Sequence, residues 1–196
     1  MPRSESAPRW RPARAVWPRP PAAVRAWLGS GGSLTRILRR RCPGGFSVAL
    51  LGLDWRAARP DERRHLGLRG ARVLERRVFL RCGGEPWVFA RTVIPPQTLA
   101  GPGRRLYRLG GRSLGEVLFS HPFVVRGAVE WAPVPAVRLG LPPAWGELWG
   151  RRIHYLFHGR PLLVSEFFLP ALWAGGRADE PCPCPSPASE SATTCA

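Results

Sequence analysis

The spacing of apolar residues predicts three short helices, two near the start of the chain and one that ends at residue 120. Pro21 opens a first helix, and Ser33 is placed to cap a second helix over 34–41. In that second helix the apolar residues recur three and four positions apart, and arginines crowd its C-terminal end, where positive charge suits the helix dipole. Ser113 is placed to cap a third helix over 113–120.

Runs rich in β-branched and aromatic residues predict an antiparallel sheet. One pair of runs flanks Gly83-Gly84 and another flanks Gly159-Arg160, and each pair has the pattern of a β-hairpin. The predicted strands cover 46–53, 71–82, 85–94, 123–131, 151–158 and 161–170, with a helical turn over 60–66. Strands joined by hairpins, with helices grouped between them, indicate an α+β fold.

Composition divides the chain into one folded unit and two flanking segments. Residues 1–20 are rich in proline and arginine, and residues 174–196 lack aromatic and large aliphatic side chains, so we expect disorder in both. The folded unit is then 21–173, a single domain. The chain has no run near the ~20 apolar residues that a membrane span needs, and we expect no stable membrane insertion.

Two charged residues lie on strand faces that are otherwise apolar. Arg76 shares its face of the strand 71–82 with aliphatic side chains, and Glu166 does the same on 161–170. A buried charge without a partner is costly, so such residues need a counter-charge or a ligand. Alternation leaves two interpretations open: Arg76 and Glu166 pair with each other, or each lines a pocket.

Neighbouring positions give weaker indications. Arg91 lies in register with aromatic and aliphatic residues, on the same predicted strand face. It is either a third pocket charge or an edge-strand arginine with its charged end in water. The other face of 71–82 holds Glu75, Arg77 and Arg81, and we expect it to face solvent. Backbone N–H groups at the two predicted helix starts, Ser33-Leu34 and Ser113-Leu114, could add an anion site.

The net charge of +17 raises the hypothesis of nucleic-acid binding. All 30 basic residues are arginine, however, and lysine and asparagine are absent, a bias typical of a GC-rich genome. We therefore interpret the charge as mainly compositional and expect no nucleic-acid partner. A basic surface would also attract small organic anions.

Cysteines and histidines show no spacing typical of a metal site. The five cysteines form no CxxC pair, and no histidine lies at ligand spacing from them. We expect free thiols, no disulfide framework and no metal. His154 and His158 are interpreted as ordinary strand residues. Motifs for nucleotides, serine hydrolases and zinc proteases are absent.

Four segments carry a resemblance to a known family. They are R-x-V-x-L-x-x-x-G-x-P-W-x-x-A-R-T-V-I-P at 76–95, SLGEVLF at 113–119, WGRR at 149–152 and G-x-P-L-L-V-S-E-F-F-L-P at 159–170. As a set, and in this order, they resemble the chorismate lyases. The resemblance implies one antiparallel sheet with helical flaps over an internal ligand cavity.

The resemblance also implies an activity and a site. A chorismate lyase converts chorismate to 4-hydroxybenzoate and pyruvate without a cofactor. The family residues that bind the substrate carboxylate and lie near the ring hydroxyl match Arg76 and Glu166, which we expect to be catalytic, and two further ligand contacts match Leu34 and Leu114. We add Arg91 as an expected contact for the second carboxylate. A cytoplasmic monomer with slow product release, feeding ubiquinone synthesis, completes the expectation.

Three departures from the family pattern concern the lid. Leu34 stands where methionine is familiar, Ser113 replaces a proline, and 132–147 is a longer connection than usual. The main alternative is a non-catalytic domain that binds small aromatic acids, since effector-sensing domains of some bacterial transcription regulators share the family's fold. Such a regulator needs a DNA-binding domain, and the stretch before Pro21 is too short to hold one.

Overall fold

Seven strands form one antiparallel sheet in the part of the chain that the computed structural model describes, residues 8–68, 70 and 72–174. Across the sheet the order is β1-β5-β6-β7-β4-β3-β2. In chain order the strands are β1 Arg11–Pro12, β2 Phe46–Ala57, β3 Arg72–Cys82, β4 Glu85–Ile94, β5 Val124–Pro135, β6 Glu147–Phe157 and β7 Arg160–Phe168. The strands β6, β7, β4 and β3 are therefore central, and their side chains are buried on both faces.

Short helices connect the strands. They are α1 Ala22–Leu28, α2 Leu34–Arg41, α3 Pro60–His65, α4 Arg104–Tyr107, α5 Leu114–Ser120 and α6 Ala171–Ala174. Single 3-10 turns lie at Ala13–Ala15, Pro96–Leu99, Gly101–Gly103, Ala136–Leu139 and Pro143–Trp145. Within the described ranges, no helix combines the length and the apolar character that crossing a membrane requires.

Different elements cover the two faces of the sheet. On what we call the front face, α1, α2 and α5 pack with the chain around α4 against Leu74, Val78 and Val164. On the back face, the residues flanking α3 and the 3-10 turns after β5 pack against Val93 and Phe167. The expected α+β fold with a single antiparallel sheet is confirmed.

The structure extends several predicted elements. β5 continues to Pro135, beyond the predicted end at 131, and β2 continues to Ala57. A sheet-edge position tolerates the prolines of β5, because β1 pairs with only two of its residues and leaves the rest of that side unpaired. The strand β1 itself lies within 1–20, the segment expected to be disordered. Residues 1–7 and 175–196 lie outside the described part, and the domain boundaries at 21 and 173 stay predictions.

The prediction of free thiols is wrong for Cys42 and Cys82, which form a disulfide with a Cα–Cα distance of 5.5 Å. Cys42 follows the last residue of α2, and Cys82 ends β3 opposite Phe46 of β2. The backbones meet closely there, since a Cβ added to Gly44 would lie 2.9 Å from the Cα of Gly83. Pairing at a separation of 40 residues depends on this packing, which spacing along the chain does not show. The other cysteines, 182, 184 and 195, lie outside the described residues.

The expectation of a solvent-facing back face is also wrong for part of β3. Val73 is fully buried, and Glu75 is buried beside Glu62 of α3, while Arg77 and Arg81 are half-buried. The cause is α3, which covers this end of the sheet. Alternation along one strand cannot show whether another element covers a face that carries charges.

Candidate active site

A cavity lies between the front face of the sheet and the first turns of α2 and α5. It holds about 520 Å³ of empty space, which includes the open solvent at its mouth. Much of its wall is aliphatic, including Val78, Leu118 and Val164. Its polar side chains include Thr35, Arg76, Ser113, Arg151, Tyr155 and Glu166. An apolar pocket with a few convergent polar groups is the usual form of a ligand site.

Arg76 brings a positive charge into this cavity without a counter-charge. Its side chain is 3% exposed, and its Nη2 donates to the carbonyl oxygens of Gly110 at 2.9 Å and Arg112 at 2.7 Å. No carboxylate pairs with it among the described residues, and its buried Nε has no hydrogen-bond partner there. Burial lowers the pKa of the guanidinium to about 10, so the group stays charged at neutral pH. An anionic ligand would supply the missing partner.

The helices α2 and α5 meet over the cavity at their N-termini. Leu34 and Leu114, the first residues of these helices, both lie in the wall. The hydroxyls of Thr35 and Ser113 are 2.7 Å apart in a buried hydrogen bond that joins the two helices.

Glu166 brings a negative charge to the same cavity, and Arg151 pairs with it. The two residues are cross-strand neighbours of β7 and β6, and Nε of Arg151 donates to Oε2 of Glu166 at 2.6 Å. Arg151 is fully buried, whereas the Glu166 side chain is 14% exposed. The negative charge is therefore held in place by a buried cation while part of the carboxylate stays accessible.

Tyr155 adds a hydroxyl to the wall on the strand that carries Arg151. Burial raises the pKa of this hydroxyl, the Glu166 carboxylate raises it further, and Arg126 opposes them. The phenol is thus neutral at neutral pH and keeps its proton available for donation.

Four of the five predicted site residues come together in this cavity: Leu34, Arg76, Leu114 and Glu166. Of the two interpretations that alternation left open, the geometry matches the pocket. Arg76 and Glu166 both line it, and the carboxylate pairs with Arg151 rather than with Arg76.

Arg91, the fifth predicted residue, is not part of this cavity. It lies on the back face, buried, where it forms ion pairs with Glu75 and Glu62. The physical reason is a β-bulge in the hairpin of β3 and β4. Unbroken register from the Gly83-Gly84 turn would place Arg91 opposite Arg76. The one-residue shift between Leu80 and Arg81 instead pairs Arg76 with Thr92 and turns Arg91 to the other face.

The histidines also stand apart from the cavity wall. His154 packs its ring against His65 on the back face, and Nε2 of His158 lies 3.3 Å from Nε2 of His121. Across residues 8–68, 70 and 72–174, no three His, Cys, Asp or Glu side chains are grouped so that they could hold a metal ion.

Comparison with known proteins identifies the family of this chain. The family model described as chorismate lyase matches residues 6–178, nearly the whole chain. The chain belongs to the chorismate lyase family. Its relatives include a protein of Methylococcus capsulatus named "Probable chorismate pyruvate-lyase", 46% identical over 76% of this chain and 96% of that protein. A protein of Pseudomonas fluorescens named "Probable chorismate pyruvate-lyase 2" is 40% identical over 88% of this chain and 95% of its own length.

Solved structures show a wider distribution of the fold. The effector domain of PhnF from Mycobacterium smegmatis is similar with a TM-score of 0.51 at 18% identity, over 71% of this chain and 90% of that domain. At this level of identity the similarity concerns the fold alone. A chorismate lyase family member and the effector domain of PhnF thus share one sheet architecture.

Sequence reasoning missed three polar groups of this family member's cavity, Arg151, Tyr155 and Thr35. A signal for Arg151 was present. It begins the predicted strand 151–158 and shares a face there with Ile153 and Tyr155. It is therefore a charge on an apolar face by the same rule that identified Arg76. Thr35 gave no such signal, because its role depends on the contact between two helices.

Proposed function

We propose that this chain is a chorismate lyase that eliminates pyruvate from chorismate and releases 4-hydroxybenzoate. The observation that carries the proposal is the buried Arg76, which has no carboxylate partner among the described residues and faces a cavity whose other charged wall is Glu166. Such a cavity is suited to an organic anion with a carboxylate at one end and a hydroxyl at the other. Family membership supports chorismate as that anion.

Arg76 binds the ring carboxylate in this proposal. Its Nη2 is occupied by two backbone carbonyls, which fix the plane of the guanidinium, and its Nε is without a protein partner in the described chain. A carboxylate that accepts from the remaining N–H groups of this guanidinium gains a charge-assisted hydrogen bond in a site shielded from water. Leu34 and Leu114 close the wall around the ligand.

Glu166 lies at the hydroxyl end of the substrate. The reaction breaks the ether bond between the ring and the enolpyruvyl group and removes the proton from the ring carbon that bears the hydroxyl, and the ring becomes aromatic. The leaving enolpyruvate takes up a proton to become pyruvate. Aromatisation makes the reaction strongly downhill, so orientation and charge stabilisation suffice, and the proposal requires no metal, nicotinamide or flavin.

The proton has two routes in this scheme. Glu166 accepts it as a general base, or it passes within the substrate to the enolpyruvyl group while Glu166 only orients the hydroxyl. A Glu166→Gln variant separates the two routes, since the amide keeps the shape and loses the basic oxygen. A large fall in kcat with little change in KM supports the base, and a small change in kcat supports the internal route.

Product release follows from the same geometry. A wall that suits the substrate ring also suits the aromatic product. The hydrogen bond between Thr35 and Ser113 joins α2 and α5, the two helices that cover the cavity and that we call the lid helices. We propose that release of 4-hydroxybenzoate limits turnover and causes product inhibition. We also propose that the protein is a cytoplasmic monomer that supplies ubiquinone synthesis, on the strength of its family resemblance.

The decisive assay follows 4-hydroxybenzoate by absorbance and chromatography from chorismate in the presence of EDTA. Wild type is expected to form product, and Arg76→Ala and Glu166→Ala are expected to form far less. Arg77→Ala is the matched control, because Arg77 is next to Arg76 but on the back face of β3. Equal loss in Arg76→Ala and Arg77→Ala would remove the cavity from the mechanism.

A second candidate function is non-catalytic binding of a small aromatic acid. The observation that favours it is the likeness in fold to the effector domain of PhnF. The same assay decides between them, since a protein that binds 4-hydroxybenzoate but forms none from chorismate is a binding domain.

A further inference from the structure

We infer that Arg151 is a positioning residue. Its guanidinium binds both the Glu166 carboxylate and the chain between α1 and α2. The inference deepens the proposed function and rests on it, because it concerns the residue through which Glu166 is placed. Arg151 was not among the predicted site residues, although it lines the cavity and is 1% exposed.

The first contact of Arg151 is with Glu166. Nε donates to Oε2 at 2.6 Å, and the strand register places the two residues directly opposite each other. Oε1 of Glu166 accepts no hydrogen bond from any described residue, so one carboxylate oxygen is held and the other is available to a ligand. The guanidinium thereby fixes the direction in which the free oxygen faces the cavity.

The second set of contacts is with the C-terminal end of α1 and the residues after it. Nη1 of Arg151 donates to the carbonyl of Trp27 at 3.2 Å, and to the carbonyl and hydroxyl of Ser30 at 2.7 Å and 2.9 Å. The carbonyls at the end of a helix lack partners within the helix and carry a partial negative charge, so a buried cation suits them. Because α2 follows within a few residues, this anchor also sets where the first turn of α2 lies over the cavity.

Arginine is suited to both tasks at once. Its planar fork directs Nε toward Glu166 and Nη1 toward Ser30, whereas a lysine ammonium is a single point at the end of a flexible stem. The ring of Phe168 lies 5.9 Å from the guanidinium carbon and covers it. Removal of Arg151 would leave the carboxylate without its cation and would take the buried positive charge away from the helix end.

Arg152 provides a matched control at the next position of β6. It is also buried, and it also makes two ion pairs, with Asp61 at 3.0 Å and Glu130 at 2.7 Å. It lies on the back face, however, and does not line the cavity. Loss of Arg152 should therefore affect folding in a similar way without acting through Glu166.

The test is a double-mutant cycle of Arg151→Met with Glu166→Gln, measured on kcat, on KM and on the Kd of 4-hydroxybenzoate. Arg151→Met in the wild-type background is expected to lower kcat or weaken product binding by roughly tenfold or more, and to add at most about twofold when Glu166 is already Gln. The same cycle with Arg152→Met should be additive within about twofold. Additive effects of Arg151→Met in both quantities would overturn the inference, because a merely structural residue does not depend on Glu166.

Two milder variants keep the test decisive if Arg151→Met fails to fold. Arg151→Lys keeps the charge but not the fork, and a loss of about fivefold or more that vanishes in the Glu166→Gln background supports the inference. Ser30→Ala removes the hydroxyl that accepts from Arg151 and donates to the carbonyl of Trp27, and it should speed product dissociation about two- to fivefold. Unchanged dissociation in Ser30→Ala would contradict the anchor, and Arg151→Lys with wild-type constants would contradict the positioning role.

The outcome for the proposed function is separate. If wild type forms no 4-hydroxybenzoate from chorismate, the proposed function fails, and the cycle on the Kd of 4-hydroxybenzoate still decides whether Arg151 acts through Glu166. If wild type is active and the cycle is additive, the proposed function stands and the positioning role of Arg151 does not.

Discussion

The two faces of the sheet bury arginines in different ways. On the back face, Arg91 is paired with Glu62 and Glu75, and Arg152 is paired with Asp61 and Glu130. On the front face, Arg151 has one carboxylate partner, and Arg76 has none among the described residues. Both faces violate the simple expectation of an apolar strand face, but among the described residues only the front face holds a buried arginine without a carboxylate partner. The charge balance of a buried residue therefore distinguishes a site from a structural network better than burial does.

The largest expected difference between the faces is in stability. Arg91→Met leaves Glu62 and Glu75 with Arg56, which is partly exposed, as their remaining cation, and we expect the free energy of unfolding to fall by about 3 kcal/mol, the low end for a broken buried pair. Arg76→Met removes an uncompensated buried charge at the cost of two hydrogen bonds, so its effect should stay within about 1 kcal/mol in either direction. Urea denaturation of the two variants measures both. A larger loss in Arg76→Met than in Arg91→Met would reverse the comparison.

The next effect is on ligand binding, and its order is the opposite. Arg76→Met should weaken binding of 4-hydroxybenzoate about 100-fold, because the ligand carboxylate loses its buried cation. Arg91→Met, studied at a temperature where it is folded, should bind within about threefold of wild type. Titration calorimetry gives both constants. Strong binding by Arg76→Met would show that the carboxylate lies elsewhere.

A smaller effect is expected at the contact between the lid helices. Ser113→Ala removes the buried hydrogen bond to Thr35, and a bond of this kind contributes about 0.5–1.5 kcal/mol. Product dissociation should then become roughly two- to tenfold faster in stopped-flow measurements. Ser165→Ala, a buried serine on the back face of β7, is the control and should leave the rate unchanged.

The smallest expected effect is a pH dependence that arises on the back face. Burial lowers the pKa of His154, and burial and Arg152 lower the pKa of His65 against the opposing charge of Glu130. A histidine whose folded pKa lies below its unfolded value stabilises the fold above the unfolded pKa, and that stability is lost as the pH falls. The free energy of unfolding should thus decrease from pH 8 to pH 6. His154→Gln should flatten this slope, and an unchanged slope would exclude His154 as its source.

The sequence predicted the central hairpins and two of the cavity charges for one physical reason. Arg76 and Glu166 lie on central strands, where alternation of period two decides which side chains share a face. Arg91 obeys the same alternation, but the bulge between Leu80 and Arg81 places it on the face opposite to Arg76, and a bulge has no clear mark in a single sequence. The same limit applies to Val73 and Glu75, whose burial depends on where α3 packs.

Contacts between distant segments were beyond prediction. The disulfide of Cys42 with Cys82 and the hydrogen bond of Thr35 with Ser113 each join elements that only the folded sheet brings together. The predicted strand 123–131 ends before Pro133 and Pro135, because proline argues against a strand. Both prolines nevertheless belong to β5, at the edge of the sheet, where no backbone N–H donor is needed.

The most direct test of the unpartnered cation is a crystal structure of the protein with 4-hydroxybenzoate. We expect the ligand in the cavity, with its carboxylate accepting from the guanidinium of Arg76 at about 2.7–3.2 Å and its hydroxyl at hydrogen-bond distance from Oε1 of Glu166. A ligand bound with its carboxylate away from Arg76, or outside this cavity, would contradict the role of Arg76 as the carboxylate-binding residue.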